Sequence, residues 1–592
     1  MKTIRRLLPI LVLLVLAAAA LSFDLANRGA AWRWFWSLTG EEEPFAQVRG
    51  MVEYAGNFIR PQPRTAALTA INHTDVPPYG INTFLQQEVE IAKRERTLAM
   101  IAEAGFSMIR QQFPWEDIEI HARGDFSDRR NDLNGDGVID ERDAVSAWDK
   151  YDNIVALAEQ YGITIQARLD NPPAWTHADP AIGSFAPPDD LQDYINFAVA
   201  VAERYRGRIR YYQIWNEPNI YPEWGEQPVS PEGYTEMLCR TYAALKAVDP
   251  AIVVISGPLS PTVSLTDRNL SDFIFLERMY VAGAGACFDV MSAQGYGFFS
   301  GPTDRRMRPM TLNFARHLYI RDIMVAHGDA AKPIWISEAA WNPQPEDPSI
   351  VTSQYGNFGI VTEEQAGRYM PLGYQRAQEE WPWIGNISYW FFKRAADYER
   401  NQAFYYFRMV EPDFTPLPVY DAMKQYITTQ QPVLFPGVHQ AEDWAIERPQ
   451  DAELHTIPAA SFGQALTTPS VAFRAQGSDL IVRWRSENGS QMAVNWAALD
   501  AAGELVGLPI VAALVPSTPG AWNETHLRLP AYGRYLINLD FAVDDNVFEG
   551  DLDWVLVADR SYENTFPMLA AVVIGVGFAL VVLLGALRER LR

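Results

Sequence analysis

The sequence predicts an α/β chain: a (β/α)8 TIM barrel, then a smaller all-β sandwich domain, then a C-terminal transmembrane helix. Three observations predict it. From Pro78 to about residue 430, short β-branched or aromatic runs alternate with stretches of helical period, as parallel β/α units do. Beyond residue 430 the helical period stops, and short alternating runs separated by turn residues take over. Near the end, Phe566 to Leu587 carries no charge and is long enough for a ~30 Å hydrocarbon core.

At the N-terminus, Lys2, Arg5 and Arg6 precede an apolar run from Leu7 to Phe23, so residues 1–23 read as a signal peptide or an uncleaved signal anchor. Trp32, Trp34, Phe35 and Trp36 follow, fitting either an interfacial belt or a small packed helix. Residues 44–75, broken by Pro61 and Pro63, read as extended. Residues 24–77 are therefore a lead segment, expected to add strands to the β domain rather than to the barrel.

The barrel is assigned to residues 78–430. Its expected strands are Tyr79 to Phe84, Ser107 to Phe113, Ile163 to Leu169, Ile209 to Trp215, Ile252 to Ser256, Val290 to Tyr296, Ile334 to Ser337 and Ile387 to Phe392. Helical spacing recurs between them, as at Tyr194, Phe197, Ala198 and Val201. Ser230 before Pro231 is an N-cap followed by a proline suited to a first helical turn.

The second βα loop carries a cation-binding pattern. Asp132, Asn134, Asp136, Asp140 and Asp143 place oxygens at loop positions 1, 3, 5, 9 and 12. Gly137 supplies the turn at position 6 and Val138 a carbonyl at position 7. Asp143 stands where Glu is usual, and a shorter acid there resembles the calcium loop of dockerin modules, although one loop is present rather than two. The expectation is a structural Ca2+ site, with no organic cofactor.

Residues 431–560 form the β-sandwich domain, with runs such as Val471 to Arg474, Leu480 to Trp484, Thr525 to Leu529 and Tyr535 to Phe541. Phe566 to Leu587 is the expected span. Arg588, Arg590 and Arg592 after it point to a cytoplasmic tail, which puts the barrel outside the cell membrane. Net charge is −24, which argues against nucleic acid as a partner. Only Cys239 and Cys287 are present, so there is no disulfide framework; two free buried thiols are expected, with one bridge as the alternative.

Two carboxylates carry the chemistry. Ile214-Trp215-Asn216-Glu217-Pro218-Asn219 follows a buried strand that Pro218 cannot continue, so Glu217 sits at a strand's carboxyl end. Pro333-Ile334-Trp335-Ile336-Ser337-Glu338 gives Glu338 the same setting. Active sites of such barrels lie at those strand ends. Two carboxyls there suit glycosidic bond cleavage: one protonates the leaving oxygen, the other attacks or activates water.

On these residues the chain, over roughly 78–430, resembles glycoside hydrolase clan A, most closely in the manner of the family 39 and family 5 enzymes. The resemblance implies an acid/base glutamate after strand four, Glu217, and a nucleophile after strand seven, Glu338, in a retaining β-glycosidase acting on oligo- or polysaccharide. It also implies that Asn216 binds the sugar 2-hydroxyl, that Arg110 keeps the nucleophile ionised, and that Tyr296 bonds it. Many family members carry His where Gln294 stands. Trp390 resembles the clan's sugar-stacking platform, and Trp175, after Pro172-Pro173, is a second candidate platform or a core residue. The same glutamates could serve a transglycosylase, with a sugar hydroxyl replacing water. A non-catalytic glycan-binding barrel is the other reading, and binding alone needs no paired acids.

Overall fold

The computed structural model describes residues 2–351, 358–457, 459–487, 489, 491–543, 546–547, 550–560 and 577. The chain divides into two compact units. One comprises Glu53–Ala66 and Ile71–Gln430; the other comprises Met1–Val52, Ala67–Ala70 and Gln431–Arg592.

The chain opens with three helices, α1 (Lys2–Ala26), α2 (Ala30–Thr39) and α3 (Pro44–Ala55). Trp32 and Trp36 stack within α2, 6.2 Å between ring centroids. The extended reading of residues 44–75 is thus corrected at its start: Pro44 sits at a first helical position, where its missing N–H costs nothing. No helix among the described residues is long and apolar enough to cross a membrane, which corrects the expected transmembrane helix. The apolar run in α1 rises only about 26 Å at ~1.5 Å per residue, short of a ~30 Å core. Residues 566–587 lie outside the described residues apart from Gly577.

The barrel strands are β1 (Tyr79–Thr83), β2 (Met108–Pro114), β3 (Thr164–Asp170), β4 (Tyr211–Ile214), β5 (Val253–Ser256), β6 (Met291–Gln294), β7 (Ile334–Ala339) and β8 (Ile384–Tyr389). They pair in parallel in the order β5-β4-β3-β2-β1-β8-β7-β6. Parallel bridges Ile255↔Val290 and Leu259↔Ala293 join the two outer strands, so the sheet closes on itself. Helices cover the outside while side chains fill the inside, which is why the strands are buried along nearly their whole length and read as continuous runs.

The covering helices are α4 (Ile91–Glu103), α5 (Asp149–Gln160), α6 (Leu191–Arg204), α7 (Pro231–Val248), α8 (Asp272–Val281), α9 (His317–Ala326), α10 (Glu363–Glu380) and α11 (Pro418–Thr429). Ser230 Oγ accepts the Gly233 N–H at 3.0 Å ahead of α7. Thr362 and Gln365 form a reciprocal capping box on α10. Cys239 on α7 and Cys287 just beyond α8 are joined in a disulfide, which corrects the expectation of free thiols. The cysteines are 48 residues apart in sequence, and only the outer ring of helices brings their Cα atoms within 4.7 Å.

In the other unit, strands β9 (Gly437–Gln440), β10 (Ile446–Glu447), β11 (Glu453–Thr456), β12 (Gln464–Thr468), β13 (Ser470–Arg485), β14 (Met492–Leu499), β15 (Leu505–Val515), β16 (Asn523–Asp540) and β17 (Gly550–Ala558) join one nine-stranded sheet. The expected sandwich of short strands is corrected accordingly. Val471 to Arg474 and Leu480 to Trp484 are one strand, β13, and Thr525 to Leu529 and Tyr535 to Phe541 fuse in β16 up to Asp540. Gly477 marks a close approach rather than a chain reversal, since a Cβ there would lie 2.7 Å from Val557 Cγ1. Phe473, Val482, Trp484, Ile537, Leu539 and Val555 meet in one apolar core.

Candidate active site

The segment after β4 leaves the strand through two residues with positive φ, Trp215 at 73° and Glu217 at 38°. Neither is glycine, so each conformation is held by its surroundings. Trp215 N–H donates to Leu169 O at 3.0 Å, and its indole Nε1 donates to Glu223 O at 2.7 Å. Asn219 grips the next loop through Ser260 N, Ser260 O and Leu270 O, at 2.8, 2.9 and 3.1 Å. Glu217 is thereby aimed from the barrel's carboxyl-end rim.

Glu338 lies in β7, beside Gln294 of β6 in strand register. Arg110, from β2, donates from Nη1 to Glu338 Oε1 at 2.8 Å and to Asn82 Oδ1 at 2.9 Å. Its Nη2 donates to Asn216 Oδ1 at 2.8 Å, and its Nε to Gln213 Oε1 at 2.6 Å. Tyr296 OH donates to Glu338 Oε2 at 2.5 Å. Burial, then the Glu338 charge, push the Tyr296 phenol well above its usual range, so it remains a donor. Gln294 donates from Nε2 to Glu217 Oε1 at 3.2 Å.

The two glutamates differ in their partners. Glu338 receives a guanidinium N–H and a phenol O–H. Glu217 is pushed up to about 8 by burial first, then by the charges of Glu338 and Glu223; hydrogen bonds from Ser260 and Gln294 oppose the shift. A carboxyl raised by burial and a carboxyl paired with a guanidinium thus share one rim.

Both line a cleft of about 470 Å3 together with Asn216, Tyr296 and Trp390. Trp390 meets Phe84 edge-on, 5.6 Å between centroids. Trp175 is not among the lining residues; it packs edge-on against Trp115, and its indole N–H donates to Glu119 O at 2.8 Å. The sequence reading passed over Glu223, Arg168, Tyr221 and Arg394, which also line the cleft. Arg168 and Asp170, charged residues in an otherwise apolar strand end and ion-paired to each other, were the available signal.

In the 132–143 loop the acidic side chains accept backbone amides. Asp132 takes Gly135 and Gly137 N–H at 2.7 and 2.8 Å, and Asp136 takes Val138 N–H at 2.9 Å. Asp143 takes Leu133, Asn134 and Asp140 N–H at 2.9, 3.0 and 3.0 Å. Arg142 pairs with Asp136 and Asp140 at 2.7 and 2.8 Å. Among the described residues, no group of three His, Cys, Asp or Glu converges in a way that could hold a metal ion. The donors are all hard oxygens, the type that Ca2+ takes.

No family model and no curated protein matches the chain. Among solved structures it is similar to a family 39 glycoside hydrolase from the gut symbiont Bacteroides cellulosilyticus WH2, at 16% identity and TM-score 0.42, over 80% of this chain and 82% of that one. It is similar to a monomeric β-xylosidase from Caulobacter crescentus CB15, at 14% identity and TM-score 0.42, over 82% and 98% of the two chains. It is also similar to GH5_18 from Streptomyces cattleya in complex with GlcNAc, at 16% identity and TM-score 0.43, over 62% and 83%. At these identities and scores a likeness does not transfer an activity, and the chemistry has to come from the cleft's own side chains.

Proposed function

We propose that the chain is a retaining glycoside hydrolase that cleaves β-glycosidic bonds in oligo- or polysaccharide. The reading rests on one observation: two carboxyls line one cleft, with Glu338 hydrogen-bonded by Arg110 and Tyr296 and Glu217 held up to about 8. Environments that push two carboxyls apart assign an acid and a base or nucleophile. Glu338 attacks the anomeric carbon while Glu217 gives its proton to the leaving oxygen. Once the glycosyl–enzyme forms, the Glu338 charge is gone, and Glu217 takes the proton of the incoming water. Retention requires the carboxyls ~5–5.5 Å apart, against ~6.5–9.5 Å for inversion.

Azide tests the assignment. Glu338→Ala loses hydrolysis and regains turnover with azide, giving the inverted glycosyl azide. Glu217→Ala still cleaves aryl glycosides with good leaving groups, and azide then gives the retained product. An inverted sugar from the unmodified enzyme, read by NMR, overturns retention; full activity in Glu338→Gln overturns the residue roles.

Two further parts of the reading concern the surroundings. The Cys239–Cys287 disulfide favours an oxidising, extracytoplasmic compartment. The 132–143 loop is proposed to bind one Ca2+ through Asp132, Asn134, Asp136, the Val138 carbonyl, Asp140 and Asp143, which stabilises the loop and stays outside the chemistry.

A further inference from the structure

Tyr221 lines the cleft from the loop after β4, just beyond Glu217, and its ring is clamped. Its hydroxyl donates to Glu226 Oε1 at 3.1 Å. Arg268 stacks over the ring, Cζ 4.1 Å from the centroid, and is itself ion-paired to Glu226. The backbone is fixed as well: Tyr221 N–H donates to Asn269 Oδ1 at 3.2 Å, and Leu270 N–H donates to Asn219 O at 2.9 Å. Neither Arg268 nor Glu226 is among the cleft-lining residues, so the clamp works from behind the ring. Those two side chains are 37% and 55% exposed, and ion pairs open to water add little to stability. What this pair does is hold an aromatic face toward the cleft. Asn269 lines the cleft beside it. With Oδ1 taken by the Tyr221 amide, the edge that Asn269 can offer a ligand is the Nδ2 donor. A fixed flat ring with an amide donor next to it suits a pyranose: the ring takes the C–H face and the amide a hydroxyl.

The location fixes which sugar. In the eight-stranded ring β4 stands across the barrel from β8, so Tyr221 and Trp390 meet the cleft from opposite sides. Glu217 shares the β4 loop with Tyr221, and the acid stands on the side of the oxygen it protonates. We propose that Tyr221 is the stacking platform, and Asn269 the adjoining donor, for the sugar that leaves with that oxygen. The inference rests on the glycosidase reading and narrows its substrate to a chain that continues with a sugar ring past the scissile bond, in preference to a glycoside of a small alcohol. A platform already clamped loses little rotamer freedom when the sugar lands on it, so the contact counts toward binding.

The test compares two leaving groups that need the same acid. Aryl β-glycosides of glucose, galactose, mannose and xylose first identify the glycone, and that turnover is lost in Glu338→Ala; failure at this stage overturns the glycosidase reading and the inference together. The methyl β-glycoside of that glycone and its β-linked disaccharides are then assayed. Both kinds carry poor leaving groups that Glu217 has to protonate, and only the disaccharides bring a ring to Tyr221. In the unmodified enzyme at least one disaccharide is a better substrate than the methyl glycoside; if none is, the proposal falls. Tyr221→Ala lowers the ratio of kcat/KM for that disaccharide to kcat/KM for the methyl glycoside by about tenfold or more. Tyr221→Phe keeps the ring and holds the ratio within about threefold. Asn269→Asp keeps the oxygen that takes the Tyr221 amide, loses the donor and lowers the ratio about fivefold; an unmoved ratio there takes Asn269 out of the subsite. If Tyr221→Ala lowers both substrates by one factor, the ring only supports Glu217, and the proposal falls. Tyr221→Leu, which keeps apolar bulk without a flat face, gives the same comparison if circular dichroism finds the alanine variant unfolded.

Discussion

Arg110 Nη1 lies 2.8 Å from Glu338 Oε1, and the two side chains are only 1% and 5% exposed. A pair so far from water cannot be broken cheaply, because the survivor is an uncompensated buried charge. The same guanidinium also fixes Asn216 through its other terminal nitrogen, so one side chain sets the position of Glu338 and of the residue beside Glu217.

Arg110→Lys keeps the charge and loses the planar fork that serves Glu338, Asn82, Asn216 and Gln213 at once. The expected result is a folded enzyme whose kcat is lower by on the order of 10²-fold, as for loss of a preorganised donor. Circular dichroism and steady-state kinetics on an aryl β-glycoside read it. A kcat equal to the unmodified enzyme's would mean that Arg110 is ballast in the core.

Glu217 must carry a proton to serve as the acid, and it is held up to about 8. The sign follows: activity is sustained below that pH and falls as pH rises through it. Gln294 donates to the ionised form and so pulls Glu217 down. Gln294→Leu therefore moves the basic limb of kcat/KM to higher pH, and a pH–rate profile measures it. An unmoved limb would remove Glu217 from the role of acid.

Calcium should raise the melting temperature by mass action on the folded loop. Asp136→Ala is the informative variant, because among the described residues Asp136 accepts the Val138 amide and the Arg142 guanidinium, whereas Asp143 ties three amides on its own. Chelator lowers the melting temperature of the unmodified protein and leaves that of Asp136→Ala unchanged. Purified protein without calcium by elemental analysis, and without a thermal response to added calcium, rejects the site.

Opening the Cys239–Cys287 disulfide releases a 48-residue loop in the unfolded chain, worth about 4 kcal/mol by chain entropy. The bond joins the outer ring of helices, and neither cysteine lines the cleft. Cys239→Ser with Cys287→Ser should therefore lower denaturant stability by that order and leave kcat at 25 °C nearly unchanged. A thiol titration of the denatured, unreduced protein that finds two free thiols would contradict the bond itself.

Within the barrel, where most elements stand in the chain was legible because they answer to local chemistry; the lead segment was not, since strands were expected where α3 (Pro44–Ala55) forms. The strand ends at Glu217 and Glu338 were marked by Pro218 and by short buried runs, and α7 by Ser230-Pro231. Pairings across the chain were not legible. The disulfide needs the ring order of the helices, and β13 needs the knowledge that Gly477 meets Val557 rather than a turn. Trp175 had the composition of a sugar platform, but its indole N–H is spent on Glu119. Glu223 was passed over because its neighbours Tyr221, Pro222 and Trp224 resemble an ordinary rim loop; its environment exists only once β3 delivers Arg168 alongside.

Gln213 sits beneath all of this. Its Oε1 accepts Arg110 Nε, and its Nε2 reaches Ser337 Oγ at 2.8 Å, Ser292 Oγ at 3.1 Å and Ser256 O at 3.3 Å. One amide therefore stitches β4 to β2, β5, β6 and β7. An amide does not titrate, so this floor keeps its hydrogen-bond pattern at any pH the carboxyls above pass through. In the proposed reaction Glu217 can give and regain its proton while this mounting stays still. A substitution at Gln213 would reach Glu338 and Asn216 together, because both hang from the guanidinium it holds.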